Sequence, residues 1–295
     1  MLAAVALGLA LGVGLDVLRD GGLEAWLAPR PGATETVIPP YDPRGRLVDV
    51  DGRSIYLDCR GTGSPTVLLE SGFAEGAAGW VLVLDRVAEF TRACAWDRPG
   101  IGRSDGRGLH SARDAASDLR AALDGAGERG PWVVVAHSLG GVYARLFAAE
   151  LPAHGSDAVL AFLMLDTYEP DLGLVSDTTL DADVRATIQR SIDETGAMIE
   201  DHEDLDWAAT LAELAEAGPV RQPAIMLMLD PRTRYGDPDP GRLAAVIDAW
   251  YRAIAARYPL GRLEIATGTG HVIQYDRPAL VLERTRELVL RYRSR

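Results

Sequence analysis

The stretch from Trp132 to Gly141 constrains the fold more than any other. Five apolar residues, Trp132-Val133-Val134-Val135-Ala136, run straight into His137-Ser138-Leu139-Gly140-Gly141, and an apolar helical pattern then continues to about Ala149. An unbroken, mostly β-branched run has no polar face to offer water, so it fits a strand buried on both sides, as in a parallel sheet covered by helices. Small residues at Ala136, Gly140 and Gly141 let strand and helix backbones approach closely at the turn. A serine there sits in a strained backbone conformation with its hydroxyl projecting from the sheet, the arrangement of a nucleophile elbow. Ala136 stands where Gly is commoner and keeps the small volume.

Strand and helix signals alternate on both sides of this unit, which predicts an α/β fold with a mostly parallel wound sheet. Leu47 to Val50 and Ser54 to Asp58 flank Asp51-Gly52, a hairpin signal. Further strands are expected at Pro65 to Leu69, Ala93 to Trp96, Val159 to Leu165, Ala224 to Leu229 and Leu263 to Ala266. Helices are expected at Ser111 to Leu123 and Arg277 to Tyr292. The acidic, helical stretch Thr178 to Ala217 has no strand candidate and breaks the alternation, so residues 171–219 read as a helical cap insertion between core segments 44–170 and 220–295. A chain of 295 residues suits one large core of this kind.

Residues 1–43 read as a hydrophobic leader or anchor followed by a linker. Leu2 to Leu15 carries no charge and suits the apolar region of a leader, although it is short for a bilayer span. No basic residue precedes Arg19, which leaves an amphipathic helix as the alternative. Membrane association through residues 2–15, export, or a cytoplasmic location otherwise, are the readings this segment allows. Pro29, Pro31, Pro39, Pro40 and Pro43 mark the linker.

Composition removes several chemistries. The chain contains neither Lys nor Asn, which excludes Schiff-base and pyridoxal-phosphate catalysis, Walker A loops and a Cys-His-Asn triad. A net charge of -13 disfavours nucleic-acid binding, since no excess of positive charge is available to displace counterions. Cys59 and Cys94 cannot form a thiolate zinc site, no metal or cofactor is called for, and both cysteines are expected to be buried small hydrophobes.

A serine nucleophile needs a base, and His271 in Thr267-Gly268-Thr269-Gly270-His271 is best placed, on a loop between the last strand and the last helix. His137 is expected to point elsewhere on its turn, and His110, His154 and His202 read as solvated histidines. The acid that fixes the His tautomer can come from either of two strand ends. Asp166 ends one; Asp230 ends the other, with Asp237 and Asp239 further along its loop. Two backbone donors are needed for an oxyanion: Leu139 supplies one, and Phe73, with Ala74 as alternative, the other from Glu70-Ser71-Gly72-Phe73. Trp207 and Leu211, at helical spacing with Leu214, either line an acyl pocket or pack the insertion onto the core. Asp201-His202-Glu203-Asp204-Leu205-Asp206 has the donors for a cation but reads as a solvated acidic stretch on the insertion.

Together these motifs resemble the α/β-hydrolase superfamily over about Leu47 to Val289. Asp97-Arg98-Pro99-Gly100-Ile101-Gly102-Arg103-Ser104-Asp105 is similar to the family's loop after the fourth strand, Ser71-Gly72-Phe73 to its His-Gly-x oxyanion element, and Tyr275-Asp276-Arg277-Pro278 to its final helix start. Leu-Glu-Ser-Gly in the first loop resembles bacterial members that carry an amino-terminal hydrophobic segment. The resemblance implies an acid after the seventh strand, favouring Asp230 or the Asp237–Asp239 loop. It also offers lipases with Leu-Asp-x-x-Glu-Pro after the sixth, as in Leu165-Asp166-Thr167-Tyr168-Glu169-Pro170. Asp166 is taken as the acid, with Asp230 the alternative.

The resulting expectation is a serine hydrolase with Ser138, His271 and Asp166, acting on a small-molecule ester, thioester or lactone. Aminopeptidase, carbon–carbon hydrolase and cofactor-free haloperoxidase activities resemble the same constellation, and a ligand receptor of this fold is a third class. The sequence leaves oligomeric state open.

Overall fold

The computed structural model describes residues 38–168, 202–229 and 254–293, with isolated positions between those stretches. Eight strands form one sheet: β1 (Arg46–Val50), β2 (Arg53–Arg60), β3 (Thr66–Glu70), β4 (Ala93–Trp96), β5 (Trp132–His137), β6 (Val159–Leu165), β7 (Ala224–Leu229) and β8 (Arg262–Ala266). Their order is β1-β2-β4-β3-β5-β6-β7-β8. The β1–β2 and β2–β4 pairs are antiparallel and all others parallel.

The helices whose full extent lies within the described residues are α1 (Leu84–Ala88), α2 (Ala112–Ala126), α3 (Gly140–Ala149), α4 (Trp207–Ala217), α5 (Ile273–Asp276) and α6 (Pro278–Tyr292), with a 3-10 turn at Ala77–Trp80. Side chains alternate across the sheet as strand geometry requires. On β5, Trp132, Val134 and Ala136 join the core beneath α2 and α3, whereas Val133 and Val135 join the one beneath α1 and α6. Both cores are continuous along β3, β5 and β6, which explains the apolar runs in those strands.

Turn chemistry fixes the ends of these elements. Asp51 (φ 53°) and Gly52 (φ 79°) close the β1–β2 hairpin. Ser111 caps α2 by accepting from the Asp114 amide at 3.2 Å, while Asp114 accepts from the Ser111 amide at 3.1 Å. Gly127, at φ 76°, terminates that helix. The loop Asp97–Asp105 folds around one carboxylate: Asp97 Oδ1 accepts from the Ala77 amide at 2.7 Å and Oδ2 from the Arg103 amide at 2.9 Å. Gly102 has to lack a side chain, because a Cβ there would lie 2.3 Å from Asp97 Oδ2.

One expectation changes. Cys59 and Cys94 are not separate buried hydrophobes; they form a disulfide, directly opposite each other on β2 and β4 with Cα atoms 4.0 Å apart. Their pairing depends on β4 lying beside β2, which spacing along the chain does not encode. The helix α1 and the 3-10 turn, each a turn or so long, also lacked a periodic signal. Residues 1–37, and with them Leu2 to Leu15, lie outside the described residues, as do 171–188 of the expected insertion. Among the described residues no helix is long and apolar enough to cross a membrane.

The bridge closes a chain segment with a sequence separation of 35, and chain-entropy arguments put its contribution at roughly 3–4 kcal/mol. The Cys59→Ala/Cys94→Ala variant is expected to lose about that much in denaturant unfolding. A loss under about 1 kcal/mol would contradict a stabilising role for the bridge.

Candidate active site

The site is assembled at the carboxyl ends of neighbouring strands. His137, the last residue of β5, pairs with Leu165, the last residue of β6, so the residues that follow, Ser138 and Asp166, start side by side. Cross-links hold that junction: Ser138 N donates to Leu165 O at 3.1 Å, and Tyr168 N donates to Ser138 O at 3.0 Å. Ser138 (φ 51°) and Asp166 (φ 43°) are both left-handed, as is Ala74 (φ 54°) on the third loop of the site. Non-glycine residues reach such conformations at a cost of order 1–3 kcal/mol, and here they cluster at one place.

The glycines explain how α3 is brought so near the sheet. A Cβ on Gly140 would lie 2.6 Å from the carbonyl oxygens of Glu70 and Ser71, and one on Gly141 would lie 2.8 Å from Thr167 Cβ. The helix start is therefore wedged between the ends of β3 and β6. Among the described residues Ser138 Oγ is buried with no hydrogen-bond partner. The amides of Phe73 and Leu139 likewise donate to no described acceptor. A Cβ on Gly72 would stand 3.3 Å from Ser138 Cβ, which places the Ser71–Ala74 loop against the serine.

His271 meets Asp166 across the junction, Nδ1 to Oδ2 at 2.6 Å, with both side chains buried. A carboxylate accepts, so Nδ1 carries the proton and Nε2 is the basic nitrogen. Tyr251 Oη donates to the other Asp166 oxygen at 3.3 Å. The His271 loop is set by Gly270 N donating to Asp276 Oδ2 at 2.6 Å and by the Thr269 hydroxyl donating to Ala266 O at 2.7 Å. Asp276 is the acid of Tyr275-Asp276-Arg277-Pro278, which gives that motif a local purpose. The alternative acids Asp230, Asp237 and Asp239 lie outside the described residues.

His137 packs beneath this pair. Its ring lies 4.7 Å from that of His271, centroid to centroid, and its Nε2 donates to His271 O at 3.0 Å. Burial pushes His137 below the ordinary imidazole value, against the opposing pull of the Glu75 carboxylate 3.4 Å from its Nδ1. Trp207 stacks on Tyr168 at 5.8 Å, and Leu211 is half-buried against the same core.

Two readings of polar residues need correction. His110 is not solvated but buried: its amide donates to Asp204 O at 2.9 Å, and its carbonyl accepts from the Asp206 amide at 2.7 Å. Glu203 is not on a solvated face either. It is 4% exposed and paired with Arg98, which is 1% exposed. Arg98 also donates to Glu70 at 3.2 Å and lies over the Tyr143 ring at 4.6 Å. This charged cluster behind the Ser71–Ala74 loop escaped sequence reasoning, because its members come from four distant segments. Arg98 and Glu70, each inside a motif singled out in the sequence, carry a hint.

Within that cluster burial pushes Glu70 up to about 7, against the opposing pull of Arg98 and the Trp96 indole. A raised carboxyl pKa means the folded state binds the proton more tightly than the unfolded chain does. The stability it contributes is therefore full below about 4.5 and is lost as pH rises towards about 7. Glu70→Gln, which cannot ionise, is expected to gain on the wild type steadily over that interval in urea unfolding. A difference that stays constant with pH would contradict this.

A family model described as the alpha/beta hydrolase family matches residues 66–284. An uncharacterized protein of Schizosaccharomyces pombe is 52% identical over 60 residues, which is 20% of this chain and 11% of that protein. A pimeloyl-[acyl-carrier protein] methyl ester esterase of Pectobacterium carotovorum is 33% identical over 99 residues, 34% of this chain and 37% of that one. The chain thus spans well under half the length of either curated relative. Among solved structures, an esterase from Exiguobacterium antarcticum superposes with a TM-score of 0.56 at 16% identity, covering 83% of this chain and 99% of that one, a likeness of fold.

Proposed function

The chain belongs to the alpha/beta hydrolase family, and from that premise we propose that it is a serine hydrolase acting on small carboxylic esters, thioesters or lactones through an acyl-enzyme on Ser138. The observation that carries this reading is the 2.6 Å pairing of buried His271 with Asp166 beside a left-handed serine at a helix start.

In the proposed cycle His271 Nε2 takes the proton from Ser138 Oγ as that oxygen attacks the substrate carbonyl carbon. The carbonyl π pair moves onto oxygen, and the developing charge is held by the Phe73 and Leu139 amides. The tetrahedral adduct collapses, the acyl–oxygen bond breaks, and His271 returns the proton to the leaving alcohol. Water then repeats the sequence: His271 takes its proton, the hydroxyl adds to the acyl carbon, and Ser138 leaves reprotonated with release of the carboxylic acid. Asp166 keeps Nδ1 protonated and balances the imidazolium. Involvement of Ala74 as the second donor is disfavoured, since its amide is already engaged by Glu203 at 2.6 Å.

Trp207 and Leu211, with Tyr168, are proposed to face the acyl group, because Tyr168 is joined to the serine through its own amide. The Cys59–Cys94 disulfide together with the apolar stretch Leu2 to Leu15 supports an oxidising, exported or membrane-anchored setting.

Hydrolysis of a p-nitrophenyl ester series from acetate to palmitate tests the reading. Ser138→Ala is expected to lower kcat by at least about 10³-fold and Asp166→Asn by roughly 10³–10⁴-fold, each with the fold intact by circular dichroism. Turnover that survives Ser138→Ala would overturn it.

A further inference from the structure

The loop from Ser71 to Ala74 is held in place by a carboxylate from the segment between β6 and β7. Gly72 O accepts from Arg98 Nη2 at 2.6 Å and from the Glu75 amide at 3.2 Å, while Ser71 O accepts from Arg98 Nη1 at 2.8 Å. A trans peptide points its C=O and N–H in opposite directions, so donors on Gly72 O turn the Phe73 N–H away from Arg98. The guanidinium also draws electron density through that amide and strengthens its N–H as a donor. The following amide, Ala74, donates to Glu203 Oε1 at 2.6 Å, which leaves Phe73 as the loop's available donor.

Glu203 is also what holds Arg98. Its Oε1 lies 2.9 Å from Arg98 Nη2 and its Oε2 lies 3.2 Å from Nε, while Tyr143 Oη donates to Oε2 at 3.0 Å. Burial, then the Glu203 charge, raise the Tyr143 hydroxyl above its ordinary value, so it stays a donor. Glu203 itself sits in a segment clipped to the body through the two backbone bonds to His110. Phe73 contributes a third contact, its ring meeting that of His202 edge-on at 5.6 Å.

We propose that Glu203 is a positioning residue for the oxyanion site. Contributed by the segment between β6 and β7, it fixes the Arg98 guanidinium, together with Glu70 of β3, against the Gly72 carbonyl, so that the Phe73 N–H is fully aimed and polarised while Glu203 is paired with Arg98. The inference rests on the serine-hydrolase reading and adds to it a coupling between the insertion and the transition state, separate from any contact with substrate. Breaking the Glu203–Arg98 pair lowers turnover before it weakens substrate binding, whereas loosening α4 alone leaves that pair in place.

The test compares wild type, Glu203→Gln and Thr210→Ala on p-nitrophenyl acetate, with phenylboronic acid as a tetrahedral adduct former on Ser138. Glu203→Gln keeps the shape and removes the charge. It is expected to lower kcat about tenfold, short of the roughly hundredfold or more that outright loss of a donor costs, with KM changed less than about twofold. Boronate affinity is expected to fall by the same factor as kcat. Thr210→Ala removes the acceptor of the Ala112 amide at 3.0 Å, loosening α4 from α2 without touching Arg98, and is expected to lower the melting temperature with kcat unchanged.

If Glu203→Gln does not fold, Tyr143→Phe takes its place, removing one donor to Glu203 with an expected fall of about threefold in both kcat and boronate affinity. An active wild type whose kcat and boronate affinity are untouched by the folded variant overturns this inference alone. A folded wild type that turns over no ester overturns the hydrolase reading and this inference with it.

Discussion

The parallel register between β5 and β6 is the constraint on which the rest of the site depends. Pairing His137 with Leu165 ends both strands at one level, so each chain leaves the sheet at the same height, one into Ser138 and the other into Asp166. The hydrogen bonds from Ser138 N to Leu165 O and from Tyr168 N to Ser138 O then lock the two exits together. A register slip of one residue would turn every core side chain of either strand to the wrong face. Burial of Val133, Val135, Leu163 and Leu165 on one side, and of Val134, Ala136, Phe162 and Met164 on the other, opposes any slip. Core packing and the alignment of the site are in this sense one interaction.

Around that junction the protein uses charge sparingly and buries it deliberately. Arg98, Glu70, Glu203 and Tyr143 have scarcely any exposure, yet each has partners: the guanidinium is matched by two carboxylates and by two loop carbonyls. Removing one partner from such a set leaves an uncompensated buried charge, which is far more costly than losing a surface ion pair. The cluster joins the end of β3, the loop after β4, helix α3 and the segment before α4. Those are the parts that must agree for the loop behind Ser138 to hold its shape.

Much of this was legible in the sequence because it is local. The apolar run of β5, the Asp-Gly hairpin and the glycines after Ser138 each report on neighbours a few residues away, and the predicted strands fall within a residue or two of those observed. Ser138 and His271 were nameable for the same reason. The partner acid is less local: two strand ends offer one, the Leu-Asp-x-x-Glu-Pro resemblance favours Asp166, and Asp166 lies against His271, while Asp230, Asp237 and Asp239 lie outside the described residues. Long-range facts were invisible. Cys59 and Cys94 look like isolated small hydrophobes until β4 is found beside β2, and Glu203 looks like one acid in a solvated run until it is found inside against Arg98. His110 was misread similarly, its burial arising from the backbone bridge to residues 204–206.

The most direct test of the central claim is covalent. A fluorophosphonate probe reacts with a serine only where a base and an oxyanion site converge on its hydroxyl, so the protein should be labelled with one equivalent of probe. Peptide mass spectrometry should then find the adduct on Ser138, and His271→Ala should abolish it in a folded protein. Absence of labelling in folded wild type, or an adduct on any other residue, would contradict the account.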